Sequence, residues 1–367
     1  MLTEYSLWLH RDNGNKIMPL DTAINFEWTK AVNGIGSFML HMPHDFDMRQ
    51  IVNDQRVAIW RTPSGAAAYR EFYGLVRKEQ TKDTFQTYTI GGYDFNYILK
   101  GHSVLYAAST ANVDKTGYHD DLMKAFIREN IGPDVTGPDM GREISSTYWS
   151  VEADLSLGAA STSRNGYVKN IYDLCLALAL ESRNAGTDLY FDVVPVTDAK
   201  VEFRVYKNQR GADRTTSGQV YVFSPDFGNV ENPDLVTDAT DEANYIYAIG
   251  NHPKDATNAK TASDTARNTA SIWAWREKVI DARSVITNAQ RQAMADSALV
   301  DGRVRSVFKG TLVSTDYQRY GIDWNLGDKI KLSYADRQYT AMIRTIHGVI
   351  DANGHERIEG GLEVYSG

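Results

Sequence analysis

The chain has 367 residues, 42% hydrophobic and 23% charged, with a formal net charge of −8. That length exceeds one ordinary core, so two or three packed units are expected at roughly 150 residues each. The acidic balance excludes broad adhesion to a nucleic-acid backbone, which needs clustered Lys and Arg, but leaves room for a channel that nucleic acid only passes through. No apolar run nears the roughly 20 residues that cross a bilayer. The opening MLTEYSLWLHRDNGN lacks the basic and apolar regions of a secretory signal, so a soluble globular protein made in a cytoplasm, without stable membrane insertion, is expected.

The first hundred residues read as short strands: LTEYSLWLH, INFEW, SFMLHMP, QRVAIWR, REFYGLVRKEQ and DTFQTYTIGGY. Between them lie RDNGNK, VNGIGS and TPSGAA, where Asn and Gly tolerate the positive φ of tight hairpins. Val57 and Ile59 share one strand face, and Arg56 and Ala58 take the other. Such a series fits a small barrel or sandwich better than an open sheet, and residues 1–100 are assigned to a first β-barrel domain.

Residues 101–188 read as a mostly helical insertion or second domain. DDLMKAFIREN sets Leu122 and Phe126 one turn apart behind an acidic start and stops at Asn130 and Gly132. GPDVTGPDMGREISS is rich in Gly and Pro and irregular. From Gly166 to Arg183, Ile171, Leu174 and Leu178 form one helical stripe, with Asn165 or Ser163 as the cap. Cys175, the single cysteine, sits in this stretch within YDLCLALAL; one thiol permits neither a disulfide framework nor a thiolate cluster, and a buried structural role is expected.

Strands return at DLYFDVVPV and KVEFRVYK, where Val201, Phe203 and Val205 alternate with Glu202 and Arg204, and continue through QVYVFSPDF and NYIYAIGN. They are assigned, with RVRSVFKGTLV, DKIKLSY, YTAMIRTIHGVI and ERIEGGLEVY, to a second β-barrel domain over 189–252 and 305–367. Residues 253–304 interrupt it: HPKDATNAKTASDTARNTA reads as a polar excursion, followed by helices around Trp273–Ile280 and Asn288–Leu299. On a helix, Trp273 and Trp275 lie about 200° apart, so one of them is expected to meet something outside its own domain, such as a neighbouring chain. The fold class expected is thus β-rich α+β, two small β-barrels with helical insertions.

Chemistry is hard to find. There is no phosphate-cradling GxxxxGK[ST] motif, and Gly34-Ile35-Gly36 sits between strands as a hairpin turn does, with Met39 where a dinucleotide loop needs Gly. His41 and His44 flank Pro43 without a third ligand at metal spacing, and His347 and His355 bracket the ordinary turn GVIDANGHE. No Ser stands in a GxSxG elbow. The carboxylate pairs Asp120 with Asp121 and Asp323 with Asp328 remain as acid/base candidates, but chance pairs are expected among 47 acidic residues. Asp328 has a simpler reading: Ile330, Leu332 and Tyr334 alternate with Lys329, Lys331 and Ser333, so Gly327 and Asp328 open a strand, with Asp328 bonding nearby amides.

Several stretches in order resemble the siphophage tail proteins of the Gp37-like kind, tail-tip or baseplate hub proteins related in architecture to the hub of contractile tails. They are FEWTKAVNGIGSFMLHMPHD, QRVAIWRTPSGAAAYREFYGLVRKEQ, YTIGGYDFNYILKGHSVLY, KNQRGADRT with its Gly-x-Asp-Arg step, WREKVIDARSVI and YGIDWNLGDKIKL. The resemblance spans most of the chain, most thinly over 101–185. It implies a hub-like structural virion protein without catalysis or cofactor: two related β-barrels per chain and a homotrimer forming a pseudo-sixfold ring. Such a ring adapts the sixfold tail tube to a threefold tip around a channel for tape-measure protein and DNA. The implied neighbours are the distal tail protein, the tail tube, the tape-measure protein and tip fibre or receptor-binding proteins, in a virion assembled in the host cytoplasm. Because the chain ends at GLEVYSG, wall degradation and receptor binding are expected to fall to other proteins. Trp273, Trp275, Trp324, Gly327 and Asp328 are the candidate structural and interface residues; no catalytic or metal-binding residue is assigned. Two alternatives stay open: a carbohydrate-binding or carbohydrate-degrading tail module using Asp, Glu and the 21 Tyr and 7 Trp, and the equivalent hub of a contractile tail or secretion-like particle.

Overall fold

Seven strands open the computed structural model, which describes residues 3–82, 87–105, 114–135, 141–166, 168–216, 220–250, 260–283, 288–315 and 317–365. These are β1 (Glu4–His10), β2 (Lys16–Pro19), β3 (Asn25–Ala31), β4 (Ser37–Pro43), β5 (Arg56–Thr62), β6 (Tyr69–Lys82) and β7 (Thr87–Asp94). In β4, Phe38, Leu40 and Met42 are buried while their neighbours are half-exposed. The three turns expected from Asn and Gly are present, and Asn33 takes φ +54° between β3 and β4.

The strands pair antiparallel in the spatial order β3-β4-β7-β6-β5-β1-β2, which sets β1 five positions from β3. Laid flat, that is roughly 24 Å at about 4.8 Å per strand. Yet Tyr5 of β1 meets Phe26 and Trp28 of β3 with ring centroids 5.4 and 5.6 Å apart. This half of the sheet is therefore rolled upon its own core.

The middle of the chain supplies α1 (Asn96–Lys100), β8 (Asp114–Tyr118), α2 (His119–Asn130), β9 (Trp149–Val151), β10 (Ala160–Asn165), α3 (Ile171–Asn184), β11 (Leu189–Pro195) and β12 (Val201–Lys207). Part of the irregular Gly/Pro segment, residues 136–140, lies outside the described residues. The α3 cap is Asn170, whose side chain accepts from the Tyr172 and Asp173 amides at 3.0 and 3.4 Å. Asn165 and Ser163, suggested as caps by the sequence, belong to β10 instead, paired with β8. Leu122 and Phe126 of α2 pack with Ile171, Leu174, Cys175 and Leu178 of α3 in a second core. The same core takes Leu189, Phe191, Val193, Val201, Phe203 and Val205. So β11 and β12, read as the start of the second β unit at 189, pack with the central helices, and β9 joins β12 in parallel. Alternation shows that a strand has a buried face without showing which layer covers it.

The remainder forms β13 (Val222–Phe223), β14 (Val230–Asp238), β15 (Tyr245–Ile249), β16 (Lys260–Ser263), α4 (Thr265–Asn268), β17 (Glu277–Asp281), α5 (Asn288–Asp301), β18 (Arg305–Leu312), β19 (Lys329–Tyr334), β20 (Arg337–Ile350) and β21 (Glu356–Tyr365). Along one edge of β20, Arg337–Met342 pair with β19 and Thr345–Ile350 pair with β3, while β21 runs along the other edge. One sheet thus continues from β14 through β18, β21 and β20 into the first half. The second half also rolls: Phe308 of β18 meets Tyr334 of β19 at 5.7 Å although β21 and β20 lie between their strands. Two closed barrels were expected. Among the described residues no ladder closes either half, because β20 gives its second stretch to β3, and both halves share one core with Trp28, Phe72, Phe308 and Ile346.

Within this seam, Gly348 stands opposite Trp28, and a Cβ at Gly348 would overlap the indole ring. Gly348→Ala is expected to cost about 1–3 kcal/mol by overpacking, measured as a lowered urea midpoint with unchanged slope.

Residues 243–302 form a small module in which β15 pairs antiparallel with β16 and parallel with β17, and α5 covers one face through Ile246, Ala248, Ala262 and Ala295. The helix expected around Trp273–Ile280 does not form. Residues 271–276 make a turn and open backbone, and the β-branched pair Val279-Ile280 lies in β17. The helix expected at Asn288–Leu299 is α5, and the excursion's residues 253–259 lie outside the described residues. No described helix is long and apolar enough to cross a membrane.

Candidate functional site

YGIDWNLGDKI turns into β19 through Gly327, at φ +85°, whose N–H donates to the Ile343 carbonyl at 2.8 Å. Asp328, 2% exposed, accepts from the Asn325 amide at 3.0 Å and from the Ala212 amide at 2.6 Å. Arg214 Nε approaches the oxygen that Asn325 bonds, at 3.5 Å. Burial pushes the Asp328 carboxyl up, and the two amides and Arg214 offset this only in part. The segment KNQRGADRT and this turn, 116 residues apart, are thus one unit, with Gly211 packed so closely on Asp328 that a Cβ there would overlap its carboxylate. Trp324, 1% exposed, lies edge-on to Phe223 at 5.5 Å and donates from Nε1 to the Gln318 carbonyl at 3.1 Å. Asp323 bonds the amide and Nε of Arg319 at 2.8 and 3.0 Å, so the two aspartates serve different backbone segments.

The other sequence candidates are also engaged locally. Asp120 accepts from the Leu157 and Gly158 amides at 2.9 and 3.1 Å, and Asp121 from Leu155 and Ser156, so the pair holds the loop after β9. His41 bonds Thr89, and His44 stacks on Tyr88 at 5.7 Å. His355 bonds Asp351 within its turn, and His347 lies between Glu27 and Glu359 at 3.5 and 3.7 Å. Burial pushes the Cys175 thiol up, away from thiolate chemistry. Among the described residues no group of three or more His, Cys, Asp or Glu is placed to hold a metal.

A charged cluster not marked by any sequence motif sits where the two halves meet. Arg61 of β5, with its side chain 3% exposed, forks onto Glu356 of β21 through Nε at 2.7 Å and Nη2 at 3.0 Å. Its Nη1 donates to Tyr69 Oη at 3.0 Å and to the Tyr320 carbonyl at 2.9 Å. Glu71 of β6 is fully buried, ion-paired with Lys30 of β3, and accepts from Tyr320 Oη at 2.6 Å and Tyr69 Oη at 2.8 Å. Burial alone would raise the Glu71 carboxyl, but Lys30 and the hydrogen bonds from Tyr320 and Tyr69 outweigh it and hold it below its usual value. Burial and the Glu71 carboxylate push Tyr69 and Tyr320 up, so both phenols remain donors. A cavity of about 480 Å³ opens beside the cluster, lined by Arg61, Leu312, Arg319, Tyr320, Glu356 and Arg357. Arg61 grips Glu356 across the seam, and Tyr320 reaches back across it to Arg61 and Glu71, an arrangement suited to locking two half-sheets together. The signal available in sequence was a lone carboxylate, Glu71, within the aromatic run YREFY.

The two tryptophans of the small module face solvent: Trp273 is 74% exposed and Trp275 48%. Trp275 stacks on Tyr245 at 4.6 Å and donates from Nε1 to Glu277 at 2.7 Å. The candidates therefore divide, with Trp324, Gly327 and Asp328 inside the fold and Trp273 and Trp275 outside it.

The fold is shared with known tail proteins. The tail protein from Neisseria meningitidis MC58 superposes with a TM-score of 0.59 at 13% identity, covering 98% of this chain and 96% of that one. The 43 kDa tail protein of prophage MuSo2 from Shewanella oneidensis gives 0.62 at 13% identity, covering 97% and 98%. A chain of the Francisella PdpA-VgrG complex in its half-lidded form gives 0.56 at 11% identity, covering 99% of this chain and 58% of that one. Comparison with curated proteins finds no match. The family described as Siphovirus ReqiPepy6 Gp37-like protein matches residues 7–360, nearly the whole sequence, and the chain belongs to that family.

Proposed function

We propose that this protein is a structural, non-enzymatic component of a bacteriophage tail, a hub at the distal end of the tail. The observation that carries the reading is the family match over residues 7–360. The rolled halves joined by β20 support it, since a chain with two similar rolled units suits a threefold ring that must meet a sixfold tube. In this reading the halves act as two barrel domains, the central helical segment and the 243–302 module are insertions, and three chains surround a channel for tape-measure protein and DNA. The partners are the distal tail protein, the tail tube, the tape-measure protein and tip fibre or receptor-binding proteins, with assembly in the host cytoplasm into the virion. Exposed Trp273 and Trp275 are the residues proposed to face a neighbouring subunit. Solution mass with negative-stain imaging tests it: a particle of three chain masses with a central hole is expected, and a dispersed monomer at high concentration would overturn the ring.

A further inference from the structure

We propose that the outer edge of β17 takes up an extended segment of a different polypeptide as an added strand, one that carries basic residues on either side of an apolar residue. β17 pairs with β15 in unbroken parallel register from Tyr245↔Glu277 to Ile249↔Asp281, and among the described residues no strand pairs with its other side. The Arg276 carbonyl accepts from the Tyr245 amide at 3.0 Å and the Ala282 amide donates to Ile249 at 2.9 Å. Backbone groups alternate sides along a strand, so Lys278 and Ile280 bond β15, while Glu277, Val279 and Asp281 turn their N–H and C=O outward.

Two edge strands of the large sheet are blunted. β2 has four residues and ends in Pro19, and β14 carries Pro233 within its bulge between Glu231 and Asp234. These devices prevent strand addition, and β17 has neither. Instead it is flanked by apolar surface: Val279 is 62% exposed, Ile272 88% and Trp273 74%. An incoming strand would cover that surface while completing the outward hydrogen bonds.

The charges select the occupant. Glu277, Val279 and Asp281 share the face of Tyr245 and Tyr247. A second β17 added antiparallel about Val279 would set Glu277 opposite Asp281 at both ends, and a parallel copy in register would set like against like, both destabilising. A strand reading basic, apolar, basic at alternate positions places opposite charges there. Asp281 shares its charge with Arg283 at 2.9 Å, so Glu277 is the stronger anchor. The inference stands on this module alone and holds whether or not the chain forms a ring.

The test is fluorescence anisotropy with the full chain and a labelled peptide, Thr-Lys-Thr-Val-Thr-Lys-Thr. Saturable binding is expected, weakened about tenfold or more when Glu replaces both Lys of the peptide. Val279→Pro removes an outward N–H without touching the ladder to β15, and is expected to weaken binding about tenfold or more at an unchanged denaturation midpoint. Should that variant fail to fold, Glu277→Lys is expected to reverse the preference in favour of the Glu peptide. Absence of saturable binding, equal binding of both peptides by the native chain, equal binding by folded Val279→Pro, or an unreversed preference in Glu277→Lys would each overturn the proposal.

Discussion

Arg61→Leu is expected to lower stability by about 2–4 kcal/mol, the cost of taking the guanidinium from the Tyr320 carbonyl and from the partly exposed Glu356 carboxylate. The substitution leaves Glu356 with the Tyr5 hydroxyl alone and strands the Tyr320 carbonyl, at the place where β5 of one half meets β21 of the other. Adding Glu356→Leu should recover part of the loss, because removing both charges leaves less unpaired than removing one. Urea denaturation of the two single variants and the double variant measures this, and simple additivity would show that the pair is not coupled. Glu71 gives the cluster a pH signature. Its folded carboxyl lies below the ordinary glutamate value of about 4.3, so its contribution is fully present above that pH and is lost as pH falls through the folded value. Glu71→Gln should therefore be less stable than the native chain at neutral pH, with a flatter acid limb below pH 4.3. An acid limb identical to the native one would assign acid unfolding to other carboxylates.

What the sequence shows of this fold is mostly local. Alternation at Val57 and Ile59, and Asn33 at positive φ, follow from neighbours one or two residues away, and the six strands expected in the first half form as β1 and β3 to β7, while the short edge strand β2 was not expected. The errors lie where a longer-range partner decides. Val279-Ile280 belongs to a strand because β15 is there to pair with it, and β11 joins the helical core because β12 and β9 form its sheet. β20 leaves β19 for β3 partway along its length, so among the described residues one continuous sheet joins the two halves. The seam cluster was illegible for the same reason. Arg61 is 259 residues from Tyr320 and 295 from Glu356, and a charged residue in an apolar strand does not name its partner. Asp328 falls between these cases: its bond to Asn325 is ordinary turn chemistry, whereas its bond to Ala212 depends on the tertiary fold.

Asp328→Ala is expected to cost about 2–4 kcal/mol, since each buried donor left unsatisfied costs about 1–3 kcal/mol and the carboxylate serves the amides of both Ala212 and Asn325. The loss should be local as well as global. Hydrogen exchange across residues 211–215 is expected to accelerate, because that segment is tied to the turn through Asp328 and through the Gly211 amide on the Gly327 carbonyl at 3.1 Å. Asp328→Asn keeps one acceptor oxygen but sets an amide NH₂ against a backbone donor, so an intermediate loss is expected. Its pH dependence has the opposite sign to that of Glu71. Burial raises the folded Asp328 carboxyl, so its contribution is fully present below the ordinary aspartate value of about 3.9 and is lost as pH rises through the folded value. The stability gap between the native chain and Asp328→Asn should therefore be wider near pH 4 than at pH 7, whereas the gap for Glu71→Gln narrows on acidification. One denaturation series at the two pH values separates a carboxylate held ionised across the seam from one strained by burial within a turn. A gap for Asp328→Asn that narrows on acidification would show that the amides of Ala212 and Asn325 outweigh the burial of Asp328.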